Sequence, residues 1–301
     1  MAFRTAGQRD TFDHLIAGAP ANKTLQAIDA ADRLSFRRFI GLGVGDLPPD
    51  DTTLVRFRQR TRAGGLIGKA RRELERQLDA KAVRIRAGSL KVVDATLVPA
   101  ATRPPRGPEA KERSAEESTP AEAKSPEVQS AEPSAMSSRR LDPDARFGGK
   151  KGKLRFGYKV HAAIEMESGV VTDFRVTPAN VADTTVFGEL LGDTEAGVLA
   201  DKGYDSAKNR AALAARGALD GIMRRVGARA KSALGAIETA RNRFLSKHRS
   251  PLEGTFASLK RWRRMGRAIY TGLARVQQQI ELAMTIHNGL KLLRLREKCA
   301  R

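Results

Sequence analysis

The sequence predicts a mixed α/β fold, in which a sheet with an antiparallel hairpin is flanked by helices. Short runs rich in β-branched and apolar residues recur along the chain and alternate with segments of helical periodicity. Two of these runs are separated only by a short Glu-Ser-Gly turn, which is typical of a hairpin. The predicted order is strand, hairpin, helix, strand, helix, strand, and this order suits a mixed sheet covered by helices.

The individual elements follow from turn and cap signals. Strands are expected at 89–98, 153–165, 169–177, 197–204 and 221–223. A helix capped by Asp50 or Asp51 is expected to run through 54–60, and longer or later helices are expected at 66–86, 183–191, 205–216, from 250 onward and at 273–296.

Two regions and one insertion are predicted. Residues 1–86 form a helical N-terminal region and residues 87–301 form the domain that contains the sheet. Residues 103–145 hold seven of the 13 prolines among Glu, Ala and Ser, and they have no hydrophobic period. We therefore expect a disordered linker or surface insertion there, which need not divide the domain.

The charge of the chain points to a polyanion as partner. The formal net charge is +21, and residues 224–301, with 19 Lys/Arg and 4 acidic residues, contribute +15 of it. Such a field attracts nucleic acid at long range. The competing partner, a membrane, is disfavoured because no run approaches the ~18 apolar residues of a spanning helix. A polar start without a signal peptide and a single cysteine, Cys299, predict a cytoplasmic protein without disulfides or cysteine-ligated zinc.

The N-terminal region has the outline of a DNA-binding unit. A short amphipathic basic segment at 34–40 is followed by a Gly/Pro-rich break at 41–49 and by the helix that carries Arg56 and Arg58. A solvated basic face explains the same pattern, and the sequence leaves both interpretations open.

Two aspartates lie on predicted strands. Asp94 is in the middle of an apolar strand, where an ionised carboxylate is costly unless a metal ion or an arginine pairs with it. Asp201 ends another apolar strand, at the edge where open α/β sheets bind ligands. For Asp201, an ordinary turn aspartate beside Gly203 is the alternative.

A third acid, Glu253, lies at the start of a predicted helix between Arg249 and Lys260. Ser250 is a good N-cap and Pro251 suits the first helical position, so Glu253 can close a capping box with Ser250. It can equally bind a divalent cation while Arg249 and Lys260 bind phosphates. Three acids from three separate elements suit a two-metal phosphoryl-transfer site, because Mg²⁺ prefers oxygen ligands.

Residues 33 to the C-terminus resemble the bacterial insertion-sequence DDE transposases of the IS-five type. The resemblance rests on the order of several motifs rather than on any one of them. Arg249, Glu253 and Lys260 match the family's R-x3-E-x6-K signature, although Ser246 stands where the family often has a tyrosine. The other matching runs are 34–39, 51–58, 94–98, 142–147, 157–161, 177–183 and 199–204.

The resemblance implies an RNase H-like catalytic core that cleaves and transfers DNA strands at insertion-sequence ends. It implies Asp94, Asp201 and Glu253 as catalytic residues and metal ligands, with two Mg²⁺ ions for which Mn²⁺ can substitute. Double-stranded DNA is the expected partner, bound by a homodimer that is associated with the nucleoid. The residues expected to contact DNA or its phosphates are Arg249, Lys260, Lys202, Tyr204, Arg56 and Arg58. An inactive or repurposed DNA-binding protein of the same fold and a related nuclease remain alternatives.

Overall fold

The computed structural model describes residues 37–38, 41–43, 45–47, 49–80, 89–104, 141–149, 154–192, 195–227 and 232–299. The basic segment predicted at 34–40 lies mostly outside these residues, as does the end of the helix predicted at 66–86.

Among the described residues from 49 onward, two helices precede the sheet. Helix α1 spans Asp51–Ala63, and the carboxylate of Asp50 caps it by accepting a hydrogen bond from the Thr53 amide at 2.6 Å. Helix α2 spans Leu66–Ala80. Its residue Leu78 is fully buried against Val170 and Leu292, so α2 packs on the sheet-containing part of the chain.

The described residues form one six-stranded mixed sheet. The central strand β1, Leu90–Pro99, pairs in parallel with β5, Gly197–Ala200, which pairs in parallel with β6, Leu219–Ile222. On its other side β1 pairs antiparallel with β3, Arg155–Glu165, and β3 forms the predicted hairpin with β4, Val171–Pro178. The mixed sheet predicted from the sequence is confirmed, and its arrangement is that of an RNase H-like core.

One strand was not predicted. Strand β2, Arg146–Gly148, pairs with the beginning of β3 along the edge that β4 occupies further on. Three residues are too few to show a period, and packing of Phe147 on Phe156 with ring centroids 5.2 Å apart stabilises the pairing.

The predicted insertion at 103–145 extends too far at its C-terminal end. Residues 105–140 lie outside the described residues, but 141–145 pack on the core. Asp142 is fully buried and accepts hydrogen bonds from the Tyr158 hydroxyl at 2.6 Å and from the Gly272 amide at 3.1 Å. A buried aspartate with such partners belongs to the folded structure, so the disorder prediction was wrong for these residues.

Helices cover both faces of the sheet. On one face lie α3, Asp183–Val186, the 3₁₀ helix Phe187–Leu190 and α4, Ala207–Ala214. Helix α4 is capped by Ser206, so it begins later than the predicted start at residue 205. On the other face lie α5, Ala233–His248, α6, Ser250–Trp262, and α7, Leu273–Cys299. Among the described residues, none of these helices is long and apolar enough to span a membrane.

The two faces have separate cores because successive residues of a strand point to opposite sides of the sheet. Val92 and Val98 of β1 pack towards α6 and α7, together with Leu252, Phe256 and Leu259. Val93, the residue between, packs on the α4 face. Asp94 shares the alternation of Val92, so its carboxylate faces α6.

Candidate active site

The register of two parallel strands places Asp94 beside Asp201. Val93 of β1 is the partner of Ala200 of β5, so the next residue of each chain segment is an aspartate. Asp201 follows the last residue of β5. Its carboxylate accepts a hydrogen bond from the Lys202 amide at 2.8 Å and so caps a short 3₁₀ helix, Lys202–Tyr204. This helix replaces the end of the strand predicted at 197–204.

A single arginine joins the two aspartates. One guanidinium nitrogen of Arg249 lies 2.5 Å from Asp94 Oδ2, and the other terminal nitrogen lies 3.4 Å from Asp201 Oδ1. Arg249 is buried, with a relative exposure of 7%. Its Nε has no hydrogen-bond partner among the described residues, so the guanidinium is only partly satisfied at this position.

The electrostatics of Asp94 reflect both its burial and its neighbours. Burial raises the pKa of this carboxyl above its usual value, and the nearby charge of Asp201 acts in the same direction. The Arg249 guanidinium and the Ala95 amide oppose the rise. The carboxylates of Asp94, on β1, and Asp201, just after the neighbouring β5, therefore need a cation. In this structure Arg249 supplies it.

Glu253 lies apart from the two aspartates. Helix α6 begins at Ser250, with Arg249 in the cap position and without a side-chain cap hydrogen bond. Ser250 is thus the first helical residue and does not occupy the expected N-cap position. Glu253 is exposed one turn beyond Arg249, and no group of three or more His, Cys, Asp or Glu side chains converges within the described part of the chain.

A buried polar network supports the Asp201 loop from the other face of the sheet. Lys159 donates to Asp183 Oδ1 at 2.9 Å, and His161 lies 3.1 Å from the Thr177 hydroxyl and 3.5 Å from that of Tyr204. Asp183 also lies against the backbone of Gly203, where a Cβ atom would come within 2.8 Å of its carboxylate.

Sequence reasoning assigned no chemical role to Lys159, His161 or Asp183. All three lie within motif runs that carried the family resemblance, and this was the signal that could have marked them.

The chain matches known transposases over most of its length. Residues 86–288 match the transposase DDE domain family, and residues 26–60 match a second family described as a transposase domain, DUF772. A transposase for insertion sequence element IS1106 from Neisseria meningitidis serogroup B is 36% identical over 220 residues, which cover 72% of this chain and 70% of that protein. No solved structure matches.

The chain belongs to the DDE transposase family. Enzymes of this family cleave DNA and transfer its strands, and this transposase has that function. The predicted recognition as an insertion-sequence DDE transposase is confirmed. Family membership does not favour a repurposed DNA-binding protein.

DDE domains depend on divalent metal ions in general, and the residues of the transposase fit such a ligand. Asp94 and Asp201 offer the carboxylate oxygens that hard cations prefer, side by side. The two carboxylates are already paired with the guanidinium of Arg249. The Nε of Arg249 has no hydrogen-bond partner among the described residues, so this arginine is not fully hydrogen-bonded at the site.

The predicted DNA-contacting residues of the transposase differ in exposure. Lys260, Lys202 and Arg56 are exposed, and Arg58 is half-buried. Tyr204 is fully buried, and its hydroxyl faces His161, so its side chain supports the loop and does not reach DNA in this conformation.

Proposed function

We propose that Asp94, Asp201 and Glu253 are the catalytic carboxylates of this transposase and that they hold two Mg²⁺ ions, for which Mn²⁺ can substitute. The observation that carries the proposal is the convergence of Asp94 and Asp201 on one buried arginine, at neighbouring positions of two parallel strands. Two neighbouring carboxylates offer the oxygen ligands that hard divalent cations such as Mg²⁺ prefer.

The chain supplies fixed and movable groups for this chemistry. When bound, such ions activate the attacking oxygen and stabilise the departing one. Asp94 and Asp201 are held at the sheet, whereas Glu253 is exposed on α6 and, in this proposal, joins them when metal and DNA bind. Because one guanidinium cannot fully serve two carboxylates and a phosphate, we infer that Arg249 exchanges the acids for a DNA phosphate, with Lys260 beside it.

The proposed partners are the duplex ends of an insertion sequence and a target duplex, bound by a homodimer since two ends must be joined. The exposed Lys202 and Arg56 and the half-buried Arg58 would contact this DNA. We place the protein in the bacterial cytoplasm, with the nucleoid, because its substrate is chromosomal DNA. The IS-five type is part of the proposal, and it rests on the R-x3-E-x6-K match at 249–260.

The test is metal-dependent cleavage of a plasmid that carries the element's ends. Asp94→Asn, Asp201→Asn and Glu253→Gln should each slow cleavage by at least about 100-fold, because each removes charge that stabilises the transition state. Glu189→Gln is the matched control, since Glu189 is an exposed acid on the opposite face of the sheet. Cleavage that survives in Asp94→Asn would refute the assignment.

Strand-transfer products distinguish a transposase from a nuclease. Wild-type protein with end-bearing and target DNA should give joined molecules, and Glu253→Gln should give none. Cleavage without joining at every target concentration would assign the same site to a nuclease.

A further inference from the structure

A basic pocket lies beside the helix that carries Glu253. It has a volume of about 390 Å³ and is enclosed by α6, the turn between β3 and β4, and the C-terminal half of α7. We name it the α6–α7 pocket. None of Asp94, Asp201 and Arg249 lines it, so it is separate from the acid pair.

The charge of the α6–α7 pocket is strongly positive. Arg263, Lys291 and Arg294 line it, against one acid, Glu167. Glu165, the other carboxylate of the adjoining turn, accepts hydrogen bonds from two backbone amides of that turn and so serves the turn itself. An anion in the pocket would therefore meet an excess of cationic groups.

His287 in the pocket wall responds to this charge. Its Nε2 donates to the Gly169 carbonyl at 3.0 Å. Burial, and then the charges of Lys291, Arg263 and Arg294, lower the pKa of this imidazole to about 4, although its hydrogen bond to Gly169 acts in the opposite direction. The imidazole is therefore neutral at pH 7.

The pocket lies on a side of α6 that is turned away from Glu253. Consecutive helical residues are about 100° apart, so Glu253 and Lys260 share one face of α6, whereas the pocket-lining residues Gly254, Thr255 and Ser258 lie about 100° to 200° round the helix from Glu253. Gly254 and Ser258 both line the pocket, and no atom lies within 4 Å of the Cβ position of Gly254. Arg294 is exposed and Lys291 half-buried, so the pocket can be reached from solvent.

We propose that the α6–α7 pocket binds a backbone phosphate of the substrate DNA, on a side of α6 turned away from Glu253. The inference rests on the proposed function, since it takes DNA as the ligand. Guanidinium and ammonium groups with a serine hydroxyl are the usual partners of a phosphodiester. The volume is at the lower end of ligand pockets and accommodates a group of about one nucleotide.

The experiment measures the salt dependence of binding to a fixed DNA duplex, with the full chain and without divalent metal. Lys291→Gln/Arg294→Gln should weaken binding and reduce the slope of log K against log salt by about 0.9 for the lost phosphate contact. Lys208→Gln/Arg216→Gln removes the same charge from exposed positions of the α4 face and just beyond, and it is the matched control. Equal slopes for the two double variants would overturn the proposal.

A second variant protects the test from misfolding. Ser258→Asp adds a carboxylate to the pocket while all its cations remain, and it should reduce affinity for the duplex more than Lys208→Asp does. A wild-type affinity in Ser258→Asp would also overturn the proposal.

Two further measurements distinguish a free anion from DNA and the pocket from the catalytic acids. If inorganic phosphate raises the Tm of the wild type but not of Lys291→Gln/Arg294→Gln, while the DNA slopes are equal, the pocket holds a free anion and the DNA proposal fails. Because binding is measured without metal, an altered slope in a protein that never cleaves DNA supports the pocket and refutes the catalytic assignment. If the wild type cleaves DNA normally but the two double variants give equal salt slopes, the catalytic assignment is supported and the pocket proposal is refuted.

Discussion

Arg249 donates a 2.5 Å hydrogen bond to the carboxylate of Asp94, across 155 positions of the sequence. The pair joins the middle of the central strand to the single residue between α5 and α6. The other terminal nitrogen of the same guanidinium lies 3.4 Å from Asp201, so both aspartates depend on one side chain for their counter-charge.

Removal of Arg249 should destabilise the metal-free protein. Arg249→Met leaves the half-buried Asp94 without its cation, and the loss should be about 3 kcal/mol, the lower end of the range for breaking a buried pair. Urea unfolding in the presence of a chelator measures the loss. Arg243→Met, at an exposed position of α5, should change the free energy of unfolding by less than about 0.5 kcal/mol.

The double variant decides whether the ion pair is the cause. Arg249→Met/Asp94→Asn removes the uncompensated charge, so it should be more stable than Arg249→Met alone. If the two variants unfold at the same urea concentration, the loss comes from packing of the arginine and not from Asp94.

Glu253→Gln should separate stability from activity. Glu253 is exposed and takes no part in the acid pair, so its substitution should change the free energy of unfolding by less than about 0.5 kcal/mol. The same variant should lose cleavage. Calorimetry and the plasmid assay on one preparation test this, and a large fall in Tm would show that Glu253 has a structural role instead.

Gly203→Ala should disturb the loop of Asp201. The added Cβ would lie 2.8 Å from Asp183 Oδ2, and Lys159 holds that carboxylate in place at 2.9 Å. We expect a loss of about 1–3 kcal/mol from overpacking, together with slower cleavage. Gly188→Ala is the control, because nothing lies within 4 Å of that Cβ position. Equal unfolding midpoints for the two variants would show that the loop accommodates the methyl group without strain.

Stability should fall as the pH decreases from 7 to 5. Burial, the largest cause at each site, lowers the pKa of His161 and of His287 to about 4, whereas an unfolded histidine titrates near 6.5. Between these values the unfolded chain binds more protons than the folded chain, so the free energy of unfolding increases with pH. The loss from pH 7 to pH 5 is about 2 kcal/mol for each histidine.

His287→Gln tests the pH effect, since glutamine can still donate to the Gly169 carbonyl. Urea unfolding at pH 5 and pH 7 should show a smaller difference in the variant than in the wild type. An unchanged difference would mean that His287 does not contribute to the pH dependence.

Local patterns predicted the strands and helices well, because each has a period and clear ends. They also marked Asp94, within an apolar strand, and Asp201, at the end of another, as two of three candidate acids, of which Glu253 does not join the other two in this structure. Strand β2 was missed because three residues carry no period, and Asp142 was assigned to the insertion because its partners Tyr158 and Gly272 are distant in sequence.

The arginine bridge could not be predicted for a related reason. The sequence offered Arg249 as a phosphate ligand, and its contact with Asp94 exists only because α5 and α6 join at one residue over the sheet. The same junction places Ser250 inside the helix, which local cap rules did not anticipate. The family resemblance offered Tyr204 as a DNA contact, but tertiary packing buries it.

The two sides of the 105–140 stretch are both anchored to the core. Before it, the carbonyls of Ala100 and Ala101 accept hydrogen bonds from Arg267, and after it Asp142 binds Tyr158 and Gly272. The sequence predicts a disordered insertion here, and lengthening such a segment between fixed ends costs only about 0.6 kcal/mol for each doubling of its length. A fluorescent reporter or an affinity tag can therefore be inserted in this stretch, and the strands that carry the two aspartates will keep their register.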